Sequence, residues 1–521
     1  MNDRSPLHWI NIVLPIIGLV LLLGVGTRLV FAEHMPLAAV VTAVTHGSGN
    51  SSSRPSLASA TPSPVSTTAS SSQKLNVILF LTDDETFESI AKMPYLSSRT
   101  DWITFDHAYE NVALCCPSRS SILTGEYDTH TGVQNNGGHD NGENLNESAT
   151  LPVWLHSAGY QTALIGKYLN DWPWGRGLYV PPGWDDWVTL LRTEGSDEYA
   201  YFNYDLDDNG SVEHFGSSTE DYETDVLTGK ALDFLSTTTT PFFLEFTPHA
   251  PHAPFVPAPK YAHTYDSEPV VHHADFHEAD VSDKPAYIRA IPQFPLSNSD
   301  DTDRRHQWDM MLSLDDSMKA FDQELATRGL ASTTVMIFMT DNGYAHGEHR
   351  WETKRCPYDV CAETPLLIRY PGQSARHIQN LVTNLDIPAT IAEIASTTPN
   401  IPQDGASLLP LITGSSTPWR DGVLQHWIGS NNLPDFWSIR TSQYRYTEYG
   451  TGEKELYDYS VDPYELTNKA GTSGYVTIQA NLAAELADLK ADAQSTTTVA
   501  MPPRPNYTIV NPNFHDEPSD E

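Results

Sequence analysis

Seven residues, Asn76-Val77-Ile78-Leu79-Phe80-Leu81-Thr82, form an apolar run without alternation that stops abruptly at Asp83-Asp84. A strand with one face in water alternates apolar and polar side chains. An unbroken apolar run has to bury both faces, as an interior strand of a parallel sheet does. Runs of the same kind predict strands over Gln161 to Ile165, Pro241 to Thr247, Thr334 to Thr340 and Pro365 to Arg369. Helical patterns separate them, at Leu151 to Ala158, Tyr222 to Leu235, Trp308 to Ala326 and Ile387 to Ala395. This alternation predicts an α/β fold, a large mostly parallel sheet covered by helices on both faces. Past about residue 415 the texture changes to short, tyrosine-rich alternating pieces, Phe436 to Thr441, Tyr444 to Tyr449 and Glu455 to Tyr459, which predict a small antiparallel sheet. The segment from Pro502 onward is expected to be irregular.

The residues before the first strand obey different physics. Leu7 to Val25 is apolar apart from His8 and Asn11 and follows a short head bearing Arg4, long enough to span a bilayer. Residues 1–32 are therefore expected to be a signal anchor, with a cleaved signal peptide as the alternative. Thr45 to Gln73 is Ser, Thr, Pro and Gly with almost no large apolar residue, so residues 33–73 are expected to be a flexible linker. Either leader implies export, with the main body outside the cell, membrane-anchored or secreted. The 67 acidic against 30 basic residues, a formal charge of -37, exclude a nucleic-acid partner, because there is no basic excess to release phosphate counterions. An anionic substrate has to be drawn to a local basic pocket against the overall field.

Chemistry concentrates at a few points. Cys115-Cys116-Pro117-Ser118-Arg119 runs on through Ser120-Ser121-Ile122 to Leu123-Thr124-Gly125. Pro117 suits the first turn of a helix and Ser118 to Thr124 holds no breaker, so the cysteines are predicted at a helix N-terminus, where an anion is favoured. Two structural cysteines ahead of an ordinary helix would be the bland account. Asp83-Asp84 and Asp341-Asn342-Gly343 each follow an apolar strand, where ligands of open α/β sheets bind. Three carboxylates and an amide oxygen form a hard oxygen set that suits Ca²⁺ or Mg²⁺ rather than zinc. Of the other cysteines, Cys356 and Cys361 are predicted to pair in an oxidising compartment, because no second ligand pair for zinc stands at suitable spacing.

The pattern Cys-x-Pro-Ser-Arg with Leu-Thr-Gly, together with these carboxylates, resembles the type I sulfatases of the alkaline-phosphatase superfamily, over Asn76 to about Asn468. The likeness extends to the N-acetylglucosamine-6-sulfatase branch through Ala113-Leu114-Cys115-Cys116-Pro117-Ser118-Arg119, Gly166-Lys167-Tyr168-Leu169-Asn170, Ala250-Pro251-His252 and Asp341-Asn342-Gly343-Tyr344. The resemblance implies an alkaline-phosphatase-like catalytic domain over 74–415 and a C-terminal subdomain and tail over 416–521. It implies that a formylglycine-generating enzyme oxidises Cys115, not Cys116, to an aldehyde during maturation. It also implies a calcium ion on Asp83, Asp84, Asp341, Asn342 and the converted Cys115. Lys167 and Lys354 are implied to neutralise sulfate oxygens, His252 to contact sulfate or protonate the leaving oxygen, and Arg119 to brace the formylglycine.

A sulfate monoester is an anion that repels nucleophiles, so its hydrolysis needs a strong oxygen nucleophile, positive charge and an acid for the leaving alcohol. A hydrated aldehyde supplies two geminal hydroxyls. One attacks sulfur as the alcohol leaves; loss of the other's proton then expels sulfate and restores the aldehyde. The expected substrate is a sulfated amino sugar or glycosaminoglycan end. Two alternatives stand beside it, a formylglycine-dependent phosphonate or phosphate ester hydrolase and a non-catalytic surface protein that binds sulfated glycans. The chain departs from the family at Leu169, where many arylsulfatases carry histidine, leaving His130 and His349 as candidates to assist the hydroxyl. Glu363-Thr364-Pro365 also stands where a basic residue is common.

Overall fold

The computed structural model describes residues 74–192, 200–239, 241–293, 298–429 and 433–495. The leader, the linker and the tail from Pro502 lie outside the described residues. Among the described residues no helix is long and apolar enough to cross a membrane.

Ten strands form the main sheet. In chain order they are Asn76–Thr82 (β1), Ile103–Phe105 (β2), Gln161–Gly166 (β3), Asp186–Leu191 (β4), Tyr204–Asp208 (β5), Ser211–Phe215 (β6), Phe242–Thr247 (β7), Thr334–Thr340 (β8), Leu366–Arg369 (β9) and Arg376–Ile378 (β10). Their spatial order is β10-β2-β9-β8-β1-β7-β3-β4-β5-β6. The block β8-β1-β7-β3-β4 is parallel throughout. Antiparallel pairs lie outside it, β9 on β8 and on β2 at one side and the β4-β5-β6 meander at the other. The sheet is thus mixed, parallel through its centre and again between β10 and β2 at one edge.

The centre is parallel because its strands are buried on both faces. Every residue of β1, β7 and β8 is buried. Successive side chains of β1 point to opposite faces. Val77, Leu79 and Leu81 pack with residues of the helices Cys115–Thr124 (α1), Leu151–Ser157 (α2) and Asp386–Ala395 (α5), while Ile78 and Phe80 pack with Glu223–Thr237 (α3) and Asn298–Thr327 (α4). The C-terminal sheet comprises Gly422–Trp427 (β11), Phe436–Thr441 (β12), Tyr444–Tyr449 (β13) and Lys454–Asp458 (β14), antiparallel in sequence order. The helix Val476–Ala493 (α6) packs on it through Leu482 and Leu486. The predicted C-terminal sheet therefore gains β11 and a covering helix.

Phe80 is the hub of the α3/α4 face, with ring centroids 4.9 Å from Phe246, 5.4 Å from Phe338 and 6.0 Å from Phe321. Phe80→Ala should cost about 3–5 kcal/mol in denaturant unfolding, as truncation of a fully buried aromatic does. A loss under about 0.5 kcal/mol, the scale of surface changes, would contradict this packing.

Candidate active site

Four neighbouring parallel strands end at the same edge of the sheet. Thr82 of β1 and Thr340 of β8 are paired in register, so the next residues, Asp83-Asp84 and Asp341-Asn342, emerge side by side. The Asp341 amide donates to the Thr82 carbonyl at 3.1 Å, and the Asp84 amide to Asp341 Oδ1 at 3.3 Å. Gly166, the last residue of β3, faces Thr247 of β7 so closely that an added Cβ would lie 2.1 Å from the Thr247 carbonyl oxygen, and its φ is +127°. Only glycine fits there. That close approach sets the backbone of Lys167, whose amide donates to the same carbonyl at 2.6 Å. His249 and His252 follow the end of β7.

α1 supplies the fifth element. It begins at Cys115 itself, with extended Leu114 as the N-cap, and all ten of its residues are buried. No acidic side chain occupies its first turn, so the positive end of the helix dipole faces the cluster. Cys115 and Arg119 are four residues apart and share a face. The rest of the motif anchors the helix: the Ser118 hydroxyl donates to Glu110 at 2.8 Å, and Gly125, at φ 73°, closes the last turn by donating to Ser121 at 2.7 Å. Cys116 points the other way, into the core. Its sulfur accepts from the Asn170 amide at 3.0 Å, and burial pushes its thiol up to about 12.

Around Cys115 the structure gathers the carboxylates, the two lysines, the arginine and the histidine that the motifs single out. Lys354 Nζ lies 2.9 Å from Cys115 Sγ and 2.6 Å from Asp84 Oδ1. Lys167 Nζ is 2.5 Å from Asp83 Oδ2. Arg119 forks between Asp341 Oδ2 at 2.7 Å and Asp83 Oδ2 at 3.2 Å and donates its third nitrogen to the Lys167 carbonyl at 2.9 Å. His252 Nε2 stands 3.3 Å from Asp84 Oδ2. Ligand atoms of Asp83, Asp84, Cys115 and His252 all lie within 4.8 Å of one another.

Burial favours neutral forms here, and the charges oppose it. Desolvation pushes Asp83 up, but Lys167, His252, Arg119 and Lys354 together hold it well below the usual carboxylate range. Asp341 is pushed up by burial and by neighbouring Asp83. Burial works against charged Lys167 and Lys354, yet Asp83 and Asp84 respectively keep both above the ordinary lysine value. Asp84 raises His252 against its burial, whereas burial and then His252 lower His249.

Two buried oxygens of this cluster make no hydrogen bond, Asn342 Oδ1 and Asp84 Oδ2, the latter having only His252 Nε2 at 3.3 Å. The Asn342 amide nitrogen is already fixed, donating to Asp84 Oδ1 at 2.6 Å and the Gly343 carbonyl at 3.0 Å, so its oxygen is held in place with nothing to accept. An unmet oxygen among three carboxylates fits a hard cation.

Other sequence candidates stand elsewhere. His130 bonds to Asp404 at 2.7 Å and His349 to Glu278 at 2.8 Å, and neither makes a described contact with the Cys115 cluster. Their candidacy rests on nearness to motifs along the chain alone. Glu363 accepts from Tyr109 at 3.1 Å and lies 3.3 Å from His107. A surface cavity of about 720 Å³ lined by residues including Phe87, Trp102 and His377 contains no residue of the cluster. Sequence reasoning misses Gln307, which donates to the Asp84 carbonyl at 2.9 Å, and His249, whose ring packs at a tilt against His252 with centroids 4.5 Å apart. Gln307 sits mid-helix with no motif around it. His249 could have been found from its spacing to His252.

The sulfatase family model matches residues 76–397, and that for the N-sulphoglucosamine sulphohydrolase C-terminal region matches 347–492. The N-acetylglucosamine-6-sulfatase of Capra hircus is 35% identical over 397 residues, covering 71% of this chain and 70% of that protein. A solved structure in complex with its substrate D-glucosamine-2-N,6-O-disulfate shares the fold at TM-score 0.72 and 23% identity, covering 82% of this chain and 99% of the other. The phosphonate monoester hydrolase of Agrobacterium radiobacter does so at TM-score 0.68 and 21% identity, covering 81% and 96%. The chain belongs to the sulfatase family and is a sulfuric ester hydrolase. Within the family it is a type I sulfatase of the N-acetylglucosamine-6-sulfatase branch.

Arg119 is the sole guanidinium bridging Asp83 and Asp341 among the described residues. Arg119→Met should lower stability by about 3–5 kcal/mol, since it strands buried carboxylates. Arg119→Lys, which keeps the charge but not the fork, should recover part of that loss in thermal unfolding. An unchanged melting temperature in Arg119→Met would contradict the cluster.

Proposed function

We propose that this protein removes sulfate from sulfated amino sugars or glycosaminoglycan ends, using a formylglycine made from Cys115 and a bound Ca²⁺. The observation that carries the reading is Cys115, buried at a helix N-terminus beside Lys354, Arg119 and carboxylates whose neighbour Asn342 presents an unmet oxygen. The names of the relatives, N-acetylglucosamine-6-sulfatase among them, support the amino-sugar class. Asp83, Asp84, Asp341, Asn342 and the converted Cys115 would hold the calcium, which when bound supplies Lewis acidity and a template for a sulfate oxygen.

The chain's own residues do the rest. Asp83, Asp84 and Asp341 formally balance Arg119, Lys167 and Lys354, so a divalent ion leaves the pocket net positive and able to draw an anion into an acidic protein. Lys167 and Lys354 neutralise sulfate oxygens. Arg119 fixes Asp83 and Asp341. His252 Nδ1 lies 2.5 Å from the Ala253 carbonyl oxygen, which can only accept, so Nδ1 carries the hydrogen. Its Nε2 is therefore the atom that holds and delivers the proton to the leaving alcohol.

The disulfide between Cys356 and Cys361 supports an exported enzyme, since such bonds persist in oxidising compartments. Residues 74–415 would form the catalytic domain, 416–521 its C-terminal subdomain and tail, and 1–32 with 33–73 the leader and linker, with the membrane as a partner through the leader. A formylglycine-generating enzyme would act during maturation.

Mass spectrometry of the peptide spanning Cys115 to Arg119, with turnover of glucosamine 6-sulfate, an aryl sulfate and an aryl phosphonate by the same preparation, tests the reading. An aldehyde mass and faster sulfate turnover are expected. A thiol mass in protein from its native host would point to a glycan-binding protein, and faster phosphonate turnover to a phosphonate hydrolase. Cys115→Ser should abolish multiple turnover, because a serine sulfate ester lacks the second hydroxyl; sustained turnover would contradict the two-hydroxyl chemistry.

A further inference from the structure

Lys354 stands between two residues in the left-handed backbone region, Thr353 at φ 77° and Arg355 at φ 78°. Neither is glycine, and Thr353 is β-branched, the type this region penalises most. Such a conformation persists only where its surroundings over-determine it. The Arg355 amide donates to the Ala113 carbonyl at 3.0 Å, two residues before Cys115. Trp351 Nε1 donates to the Lys354 carbonyl at 2.9 Å. The Gly343 amide, next to Asn342, donates to the Cys361 carbonyl at 3.0 Å, and Cys361 Sγ lies 3.7 Å from the Thr353 carbonyl oxygen. The Cys356–Cys361 disulfide joins the two limbs of this loop. Its far end is tied to the C-terminal sheet: Asp359 pairs with Arg440 at 3.1 Å and with Arg445, and the Asp359 amide donates to Glu465 at 3.0 Å.

We propose that the Cys356–Cys361 disulfide is a positioning element for Lys354, holding the loop in a backbone conformation that keeps the ammonium against Cys115 and Asp84. Asp359, Arg440 and Arg445 fix the same loop from the C-terminal sheet. The disulfide's sulfurs make no described contact with the cluster; a second route to the site runs from the Cys361 carbonyl through Gly343 to Asn342, and removal of Lys354 separates the two. Lysine reaches its target on a four-carbon stem with several rotatable bonds, and a displaced backbone loses the target even when the charge remains. The inference rests on the functional reading above only in assigning Lys354 to sulfate.

A double-mutant cycle tests it on formylglycine-containing, calcium-loaded enzyme. The proteins are the parent, Cys356→Ala/Cys361→Ala, Lys354→Ala and the triple variant, each measured for affinity toward inorganic sulfate by calorimetry, for aryl sulfate kcat/KM, and for amide hydrogen exchange over residues 351–362. Loss of the disulfide should weaken sulfate binding and lower kcat/KM by about tenfold and speed exchange in the loop while β1 and β8 stay protected. In the Lys354→Ala background its removal should change sulfate affinity and kcat/KM by less than about twofold. Equal losses in both backgrounds, or unchanged loop exchange, would overturn the positioning role. A parent that neither binds sulfate nor cleaves the aryl sulfate would sink the functional reading instead, and loop exchange would still decide whether the disulfide orders Lys354.

Discussion

Three carboxylates brought together out of water are the constraint on which the rest of this structure depends. Asp83, Asp84 and Asp341 are each essentially unexposed, because the parallel strands that carry them end in register. Burying an unpaired charge costs far more than a folded domain has to spare. The fold meets this by converging basic side chains from separate elements: Arg119 from α1, Lys167 from the end of β3 and Lys354 from a strained loop. Each is buried and each is held charged by a carboxylate. The balance is formal rather than complete, since Asn342 Oδ1 is left unmet and Asp84 Oδ2 has no hydrogen bond, only the His252 Nε2 ion pair at 3.3 Å.

The same constraint separates two adjacent cysteines. A helix that starts at Cys115 points that sulfur at the cluster and turns Cys116 into the core, where burial and then the neighbouring Cys115 push its thiol up and keep it protonated. The Leu-Thr-Gly end of the motif is explained just as locally. Gly125 closes the helix, and the strands of the sheet then place its N-terminus rather than its side at the site.

Much of this is legible in the sequence because it rests on periodicity and on strand ends. β1, β7 and β8 carry unbroken apolar runs, and the first polar residues beyond β1 and β8 fall where an α/β sheet binds ligands, so Asp83 and Asp341 stand out from the residue pattern alone, with His252 a few residues past the end of β7. The strands toward the sheet's margins do not, because β2 and β10 are three residues long and the edge strand β6 is largely exposed. The β5–β6 hairpin does carry a local signal, Asn209-Gly210, a favoured two-residue turn with both residues at positive φ. His130 and His349 rest only on nearness along the chain, which says nothing about which way a loop turns; each pairs with a carboxylate outside the cluster. Gln307 and the strained loop around Lys354 depend on contacts between segments dozens of residues apart, which no local pattern encodes.

The central claim is that the aligned strand ends form a cation site completed by Asn342. Calcium-dependent thermal unfolding tests it most directly, because an ion that binds only the folded state raises the melting temperature with its concentration. The account predicts a saturable rise for the parent and its loss in Asn342→Leu, which removes the oxygen but keeps the volume. No shift at millimolar calcium, or an equal shift in Asn342→Leu, would contradict it.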